Sequence, residues 1–457
     1  MSLHPTVAWP APDLRQPEDP EARMSLFGSM TTAISGLTAQ SRALGNVADN
    51  VANSQTVGYK RVDTNFVSYI TDSTVNRHLP GSVVARPDYQ NSIQGTPVQS
   101  DNPLAMAVAG QGFFAVSRPT GNANGSLQFD ERQFYTRAGD FRVDENGYMV
   151  NGSGYYLQGW NTDVTGQPDR TQLSPIRINE LVFNPIATST IDLSANLPAD
   201  ATATSDPIVT PVNVYDALGT LQPMTLTWTP TATADVWNVA INAPNGGGGL
   251  GTLQVRFGAA ATPPVPAGTI GQITSVTPPA TGTTGGAGTP ATINLTANFG
   301  QGNQAIALNL GTFGAASGLT QYAGETFELR NLEPNGVPLG SYSGVSIREN
   351  GDVAINYDNG QTRVVYRIPL TTFNDPDSLQ RMDGQAFMRT LESGEARVSD
   401  VASNGSGRLA VGSVESSNVD IASEFSKLIV AQRAYTANTR IVTTSDELLQ
   451  DTINMKR

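Results

Sequence analysis

Few residues in this chain have the types and spacing that chemistry needs. His4 and His78 are the two histidines among 457 residues, and cysteine is absent. A zinc site takes about three or four nitrogen, sulfur or carboxylate ligands, so each histidine reads as an isolated surface side chain. Ser-His-Asp catalysis fails on the same supply, because neither histidine lies in a motif. The stretch Asn245-Gly246-Gly247-Gly248-Gly249-Leu250-Gly251-Thr252 has the glycine content of a phosphate loop. It lacks the Lys-Ser/Thr that grips phosphate and magnesium, and strand-like Leu253–Phe257 follows where a helix N-terminus should stand. Asp144-Glu145-Asn146-Gly147 and Glu349-Asn350-Gly351-Asp352 carry carboxylates, but each is shorter than a calcium-binding EF-hand loop. Their Asn-Gly pairs read as hairpin turns. The sequence therefore predicts no catalytic residue, no cofactor, no metal site and no enzyme activity.

Composition bounds the remaining classes. The 27 Lys and Arg against 40 Asp and Glu give a formal charge of −13, which argues against nucleic acid as a partner and favours a soluble monomer. Without cysteine, neither disulfides nor thiolate metal sites contribute. No stretch is long and apolar enough for a transmembrane helix, and no signal peptide is visible. Residues 1–23 hold five prolines and scattered charge, the composition of a disordered extension.

The elements with the clearest pattern lie at the two ends. Residues 26–60 and 417–457 read as long helices, with Gly-, Thr- and Asn-rich β-type sequence between them. Neither Pro nor Gly interrupts Ser417–Arg457, so about 40 residues would make a rod of roughly 60 Å. Ser417-Asn418-Val419-Asp420 fits a capping box at its start. Ile421, Phe425, Leu428, Tyr435, Val442, Leu449 and Ile453 follow at three- and four-residue steps or their multiples, interrupted at Gln432, Thr439 and Asp446, the spacing of a coiled-coil seam. A second stripe runs through Val430, Ala434, Ala437, Ile441, Leu448 and Met455. Two stripes imply more than one helical neighbour. In the N-terminal segment, Met30, Ile34, Leu37, Ser41, Leu44, Ala48 and Val51 form the matching seam, and Arg42 and Asp49 are the only charges between Met24 and Ala52. The small residues Gly28, Gly36, Gly45, Ala39 and Ala43 would let another helix approach closely, with each glycine costing about 1 kcal/mol in an isolated helix. An ordinary intramolecular helix pair explains the stripes equally well.

The residues at these ends also carry a resemblance. Leu44-Gly45-Asn46-Val47-Ala48-Asp49-Asn50-Val51-Ala52-Asn53 followed by Thr56-Val57-Gly58-Tyr59-Lys60 resembles the amino-terminal signature of the bacterial flagellar rod and hook axial protein family. Ser417-Asn418-Val419-Asp420 and Ile429-Val430-Ala431-Gln432-Arg433-Ala434-Tyr435 resemble its carboxy-terminal signature. Asp49, where the family more often has asparagine, and Thr436, often glutamine, depart from the pattern. On this match Asn50, Ala52, Asn53, Gly58, Tyr59, Lys60, Asn418, Asp420, Gln432 and Arg433 are the signature positions. Family members usually begin where Met24-Ser25-Leu26-Phe27 stands, so a misassigned start is the alternative to a native extension.

The interior separates the members. Asn102–Phe114 alternates and breaks at Gly110 and Gly112, like a strand with a bulge, and Phe134–Phe141 leads into the first Asn-Gly turn. Both look like the β domain that rod and hook proteins share. The long insert, with Val212-Asn213-Val214-Tyr215-Asp216-Ala217-Leu218-Gly219, resembles the hook members, whereas distal-rod proteins should lack it. Gly258–Pro290 is a Thr/Gly/Ala/Pro tract that reads as an exposed outer linker.

The expected fold is α+β and multidomain: helical segments 24–75 and 413–457 paired in a coiled-coil-like inner domain, a middle β domain of 76–162 and 336–412, and an outer β domain of 163–335, both mainly antiparallel. The resemblance implies a structural hook subunit that polymerises into a curved, hollow tube and transmits torque from rod to filament. It also implies self-association, contacts with rod, junction and cap proteins and the export apparatus, and an extracellular location reached without a cleavable signal peptide. Alternatives are a distal-rod or hook–filament junction protein, or a surface adhesin or glycan-binding β protein using the insert. Asn53 would cap or end the first helix, and Gly58 within Thr56–Asn76 would supply a hinge through positive φ.

Overall fold

The computed structural model describes residues 24–74, 77–123, 126–163, 165–178, 182–324 and 326–455. The extension 1–23 and His4 lie outside these. The chain is mostly β with one helix at each end, α1 (Met24–Ala52) and α2 (Ile421–Met455). It divides into two compact units, one of residues up to 178 with 346–354 and 364–457, the other of 179–345 with 355–363.

In the first unit α1 stops at Ala52, earlier than the pattern to residue 60 predicted. Asn53 ends it: its Nδ2 donates to the Asp49 carbonyl at 2.9 Å, and its own carbonyl accepts from Thr56 N at 3.0 Å. After this turn the chain enters a long antiparallel hairpin of β1 (Val62–Thr74) and β2 (Arg77–Tyr89). The hairpin packs along α1, where Thr32 Oγ1 donates to the Gly81 carbonyl at 2.6 Å and Asn46 Nδ2 to Thr64 Oγ1 at 2.8 Å. The cap of α2 also differs from the predicted box. Asp420 itself caps, accepting from Ala422 N at 2.9 Å and Ser423 N at 3.3 Å, while Ser417 Oγ accepts from Val419 N at 3.3 Å.

The β part of this unit is knitted from both ends of the chain. β3 (Pro97–Gln99) pairs with Ser413–Glu415, and β4 (Met106–Ala109) pairs with Arg408–Val411. β5 (Phe114–Ser117) joins Phe134–Thr136 and Tyr156–Asn161 in a larger sheet. Gly110 and Gly112, at φ 110° and 129°, therefore divide two strands of different sheets rather than bulging one. Phe113, Tyr135, Phe373 and Phe387 close a core by edge-to-face contacts of 4.9–6.0 Å. The Asn-Gly turns form as predicted: Gly147 and Gly351 take φ 83° and 88°, and Asp144 Oδ1 accepts from Asn146 N and Tyr148 N.

The second unit has one core between two sheets. One sheet runs Ile208–Tyr215, Leu221–Pro230, Val236–Ala243, Gly248–Phe257 and Ile270–Thr274, all antiparallel neighbours. The other is centred on Thr190–Asn196, parallel to Asn303–Thr312 and antiparallel to Glu328–Pro334. Inward residues alternate along Leu221–Pro230, Val236–Ala243 and Pro290–Asn298, and Trp228, Trp237, Phe257 and Phe313 belong to the shared core. The candidate phosphate loop is the turn before Gly248–Phe257 and part of that strand. The predicted linker 258–290 is also more than a linker. Its strand Ile270–Thr274 closes the first sheet, and Ile270 and Ile273 are fully buried. Small-residue composition hid those two anchors.

Candidate functional site

The signature residues converge where the two chain ends meet the β part of the first unit. Glu415, fully buried, lies at the centre. Its Oε1 pairs with Lys60 Nζ at 2.5 Å and accepts from Gly95 N at 2.8 Å, while Oε2 pairs with Arg137 Nη1 at 3.0 Å. Its backbone carbonyl accepts from Gly58 N at 2.8 Å. Arg137 further donates to the carbonyls of Val108 and Gly110 and lies over the Phe113 ring at 5.0 Å. Burial lowers the pKa of Lys60 to about 8 against the raising influence of Glu415, and burial also lowers that of Arg137. One carboxylate is thus shared by two buried cations, each brought in by a different stretch of chain.

A second cluster adjoins it. Asn50, fully buried, donates to Glu424 Oε2 at 3.0 Å and to the Val62 carbonyl at 2.9 Å, and accepts from Val62 N and the Tyr59 hydroxyl. Lys427 binds Glu424 at 2.7 Å and also Asp63. Asn418 Oδ1 accepts from Arg61 N at 2.7 Å, and its Nδ2 donates to the carbonyls of Gln90 and Ile93 at 3.1 Å. Arg381 donates to the Lys60 carbonyl and lies 5.6 and 5.1 Å from the Tyr59 and Tyr89 rings. Asn418→Ala removes three such bonds and leaves the half-buried Arg61 N–H and Gln90 carbonyl without this partner, while the Ile93 carbonyl keeps Lys60. It is expected to cost about 1–3 kcal/mol, read as a lower urea midpoint for the first unit.

These contacts revise the hinge. Gly58 does take φ 69°, but it is buried, tied to Glu415, and a Cβ there would stand 2.5 Å from Ala138 N. The segment from 62 to 74 is hairpin strand rather than swivel. Ala52 is exposed beside the node, and Gln432 and Arg433 are exposed on α2 away from it.

The helices run antiparallel in a seven-residue register, though on other residues than the predicted seams. Asn50 meets Glu424, Ala43 and Ala431 line one cavity, and a Cβ on Gly36 would stand 2.9 Å from Asn438 Nδ2. Each step of seven along α1 is matched by seven back along α2, and Ser445 continues the buried line. The facing positions are small or polar. The large apolar residues flank them: Leu428, Val442 and Leu449 are half-buried, whereas Ile421, Phe425, Tyr435 and Ile453 are exposed on one side. Val430, Ile441, Leu448 and Met455 are exposed on the other. On α1, Ile34 is exposed and Met30, Leu37, Leu44 and Val51 are half-buried, while Ala33, Ala39 and Val47 take the buried face. Of the large apolar side chains that defined the predicted seams, Ile34, Ile421, Phe425, Tyr435 and Ile453 are thus exposed, and the others are half-buried rather than at the centre of the pair.

Sequence reasoning missed Arg137, Glu415, Arg381 and Glu424. The one available signal was Glu424, an acid seven residues before Ala431 on the line that packs inward.

Four family models match the chain. "Flagella basal body rod protein" covers residues 30–60, and "Flagellar hook protein FlgE/F/G D1 domain" covers 107–205. "Flagellar basal body protein FlaE D2 domain" covers 185–337, and "Flagellar basal body rod FlgEFG protein C-terminal" covers 410–455. A crystal structure of the Helicobacter pylori flagellar hook protein FlgE2 aligns at TM-score 0.45 and 14% identity over 68% of this chain and 98% of that one. The flagellar hook protein FlgE of Rhizobium meliloti is 31% identical, and that of Salmonella typhimurium 27%, each aligned over its whole length and over 95% and 94% of this chain. With 34% identity to the flagellar hook protein FlgE of Brucella abortus over 95% of this chain and 100% of that protein, the chain belongs to the flagellar hook protein family.

Proposed function

We propose that this chain is a structural subunit of the bacterial flagellar hook, polymerising through its terminal helices into a curved hollow tube that passes torque from rod to filament. The observation that carries this reading is the pair of apolar flanks on α2. Ile421, Phe425, Ile429, Val430, Ile441, Leu448 and Ile453 are each more than 40% exposed. A monomer rarely leaves so continuous an apolar surface open, and partner helices are the natural cover. Family membership supplies the polymer.

In this proposal segments 24–75 and 413–457 form a coiled-coil-like inner layer, and 76–162 with 346–354 and 364–412 a middle β domain, 336–345 and 355–363 belonging to the second unit. Residues 163–178 join the middle domain, because Ser174–Pro175 pairs with Tyr156–Asn161, and the rest of the insert to 335 is outermost. The role is structural rather than enzymatic. Other subunits of the same chain are the main partners, with rod, junction and cap proteins and the export apparatus as further ones. The location is the extracellular hook, reached without a cleavable signal.

Deleting residues 421–457 tests this while leaving Glu415 and its node in place. The expected product is a folded monomer with normal β circular dichroism that forms no tubes in sedimentation or electron microscopy. Tubes assembled from the truncated chain would remove the helical layer from the mechanism.

A further inference from the structure

A cavity of about 530 Å³ opens in the first unit between α1, β1 and α2, its surface mostly apolar but edged by Gln40, Asn46, Asp63, Thr64, Glu424 and Lys427. Ala43 and Val47 come from α1, Val62 and Phe66 from β1, and Val430 and Ala431 from α2. Lys427 at its edge is already paired with Asp63 and Glu424, so an apolar side chain entering would strand no bare charge. Val430 is 66% exposed and marks this flank of α2. The opposite flank carries Phe425, 52% exposed, beside Ile421 and Ile429.

A cavity on one flank and a projecting apolar ring on the other make a heterologous contact. Such a contact need not close on itself, and repeated from copy to copy it generates an open helix. We propose that the cavity is a socket for Phe425 of a second copy of this chain; this rests on the hook-subunit reading and adds the residues of the contact. Phe425 is the fitting knob because its phenyl ring, the one aromatic ring on α2 without a polar atom, has no hydrogen bond to satisfy against the cavity's largely apolar surface. Tyr435 stands among Gln432, Thr436 and Thr439, while Phe425 has Ile421, Leu428 and Ile429 around it.

The chain has no cysteine, so an introduced pair reads out without background. A Gln40→Cys/Ile421→Cys double variant, which leaves Phe425 and Val430 in place with one thiol on the cavity edge and the other beside the ring, is assembled into tubes and treated with a short bismaleimide. A covalent ladder extending beyond the dimer is expected, with the link between residues 40 and 421 confirmed by mass spectrometry. A Val430→Cys/Ile453→Cys control should give no ladder. The single Val430→Cys variant should react quickly with a maleimide as monomer and at least tenfold more slowly in tubes. Tubes without the ladder, or a thiol at 430 already protected in the monomer by another part of its own chain, would overturn the socket and leave the hook reading intact. Failure of the unaltered chain to form tubes would overturn both.

Discussion

Replacing Glu415 with alanine is expected to destabilise the first unit by about 3–5 kcal/mol, because it leaves two buried cations without their shared counter-charge. Lys60 and Arg137 are 2% exposed each, and Glu415 binds both while also accepting from Gly95 N. The two cations respond differently. Arginine stays charged at any pH the protein tolerates, so Arg137 bears the lasting cost. Lys60 can escape by losing its proton. Its folded pKa, about 8, lies below the ordinary lysine value of 10.5. The unfolded state thus binds more protons in that window, and the Lys60 contribution to stability rises with pH from about 8 to 10.5. Removing Glu415 takes away a charge that raises the Lys60 pKa, so in the variant this rise begins below pH 8. The gap between parent and Glu415→Ala should therefore narrow as pH rises through neutrality towards 8. Urea unfolding followed by amide exchange in β4 measures both effects, and Glu415→Gln, which keeps an acceptor, should lose about half as much. A loss under about 1 kcal/mol in the alanine variant would show that the node contributes little to holding the ends.

The sequence disclosed some of this node and hid the rest for a physical reason. The extent of α2 was readable because its segment lacks proline and glycine, whereas α1 ended at Ala52 rather than residue 60, and Asn-Gly pairs announced turns that formed. The signature positions Asn50, Gly58, Tyr59, Lys60 and Asn418 were identified by likeness, and the structure shows them in contact. Their partners were not legible. Lys60 and Glu415 are 355 residues apart, and Arg137 and Glu415 278, and no local pattern distinguishes a buried glutamate from a solvated one. The helix seams failed differently. Periodicity assumes that large apolar side chains mark the face packed within the chain. In a chain whose strongest apolar stripes are exposed or only half-buried, the internal line falls to Gly36, Ala43, Ala431, Asn438 and Ser445, which such a count passes over.

The same distinction between internal line and open flank governs glycine. Gly58→Ala is expected to cost about 3–5 kcal/mol, near the top of the single-substitution range. Its φ of 69° strains any residue with a Cβ by about 1–2 kcal/mol. The added carbon would also stand 2.5 Å from Ala138 N and 2.8 Å from Arg137 C. These are backbone atoms, so they cannot rotate aside; relief must come from shifting the strand end that aims Arg137 at Glu415. The steric cost and the electrostatic cost are coupled, and Gly58→Ala combined with Glu415→Ala should cost less than the sum of the two singles. Gly45 in α1 is the contrast, being exposed with nothing within 4 Å of where a Cβ would stand. Gly45→Ala should stabilise the helix by up to about 1 kcal/mol. The four variants compared in one urea series separate the explanations. Additive losses from Gly58→Ala and Glu415→Ala would mean that Gly58 serves its own turn alone. A shortfall of at least about 0.5 kcal/mol would mean that the glycine exists to let the two chain ends close on a single carboxylate.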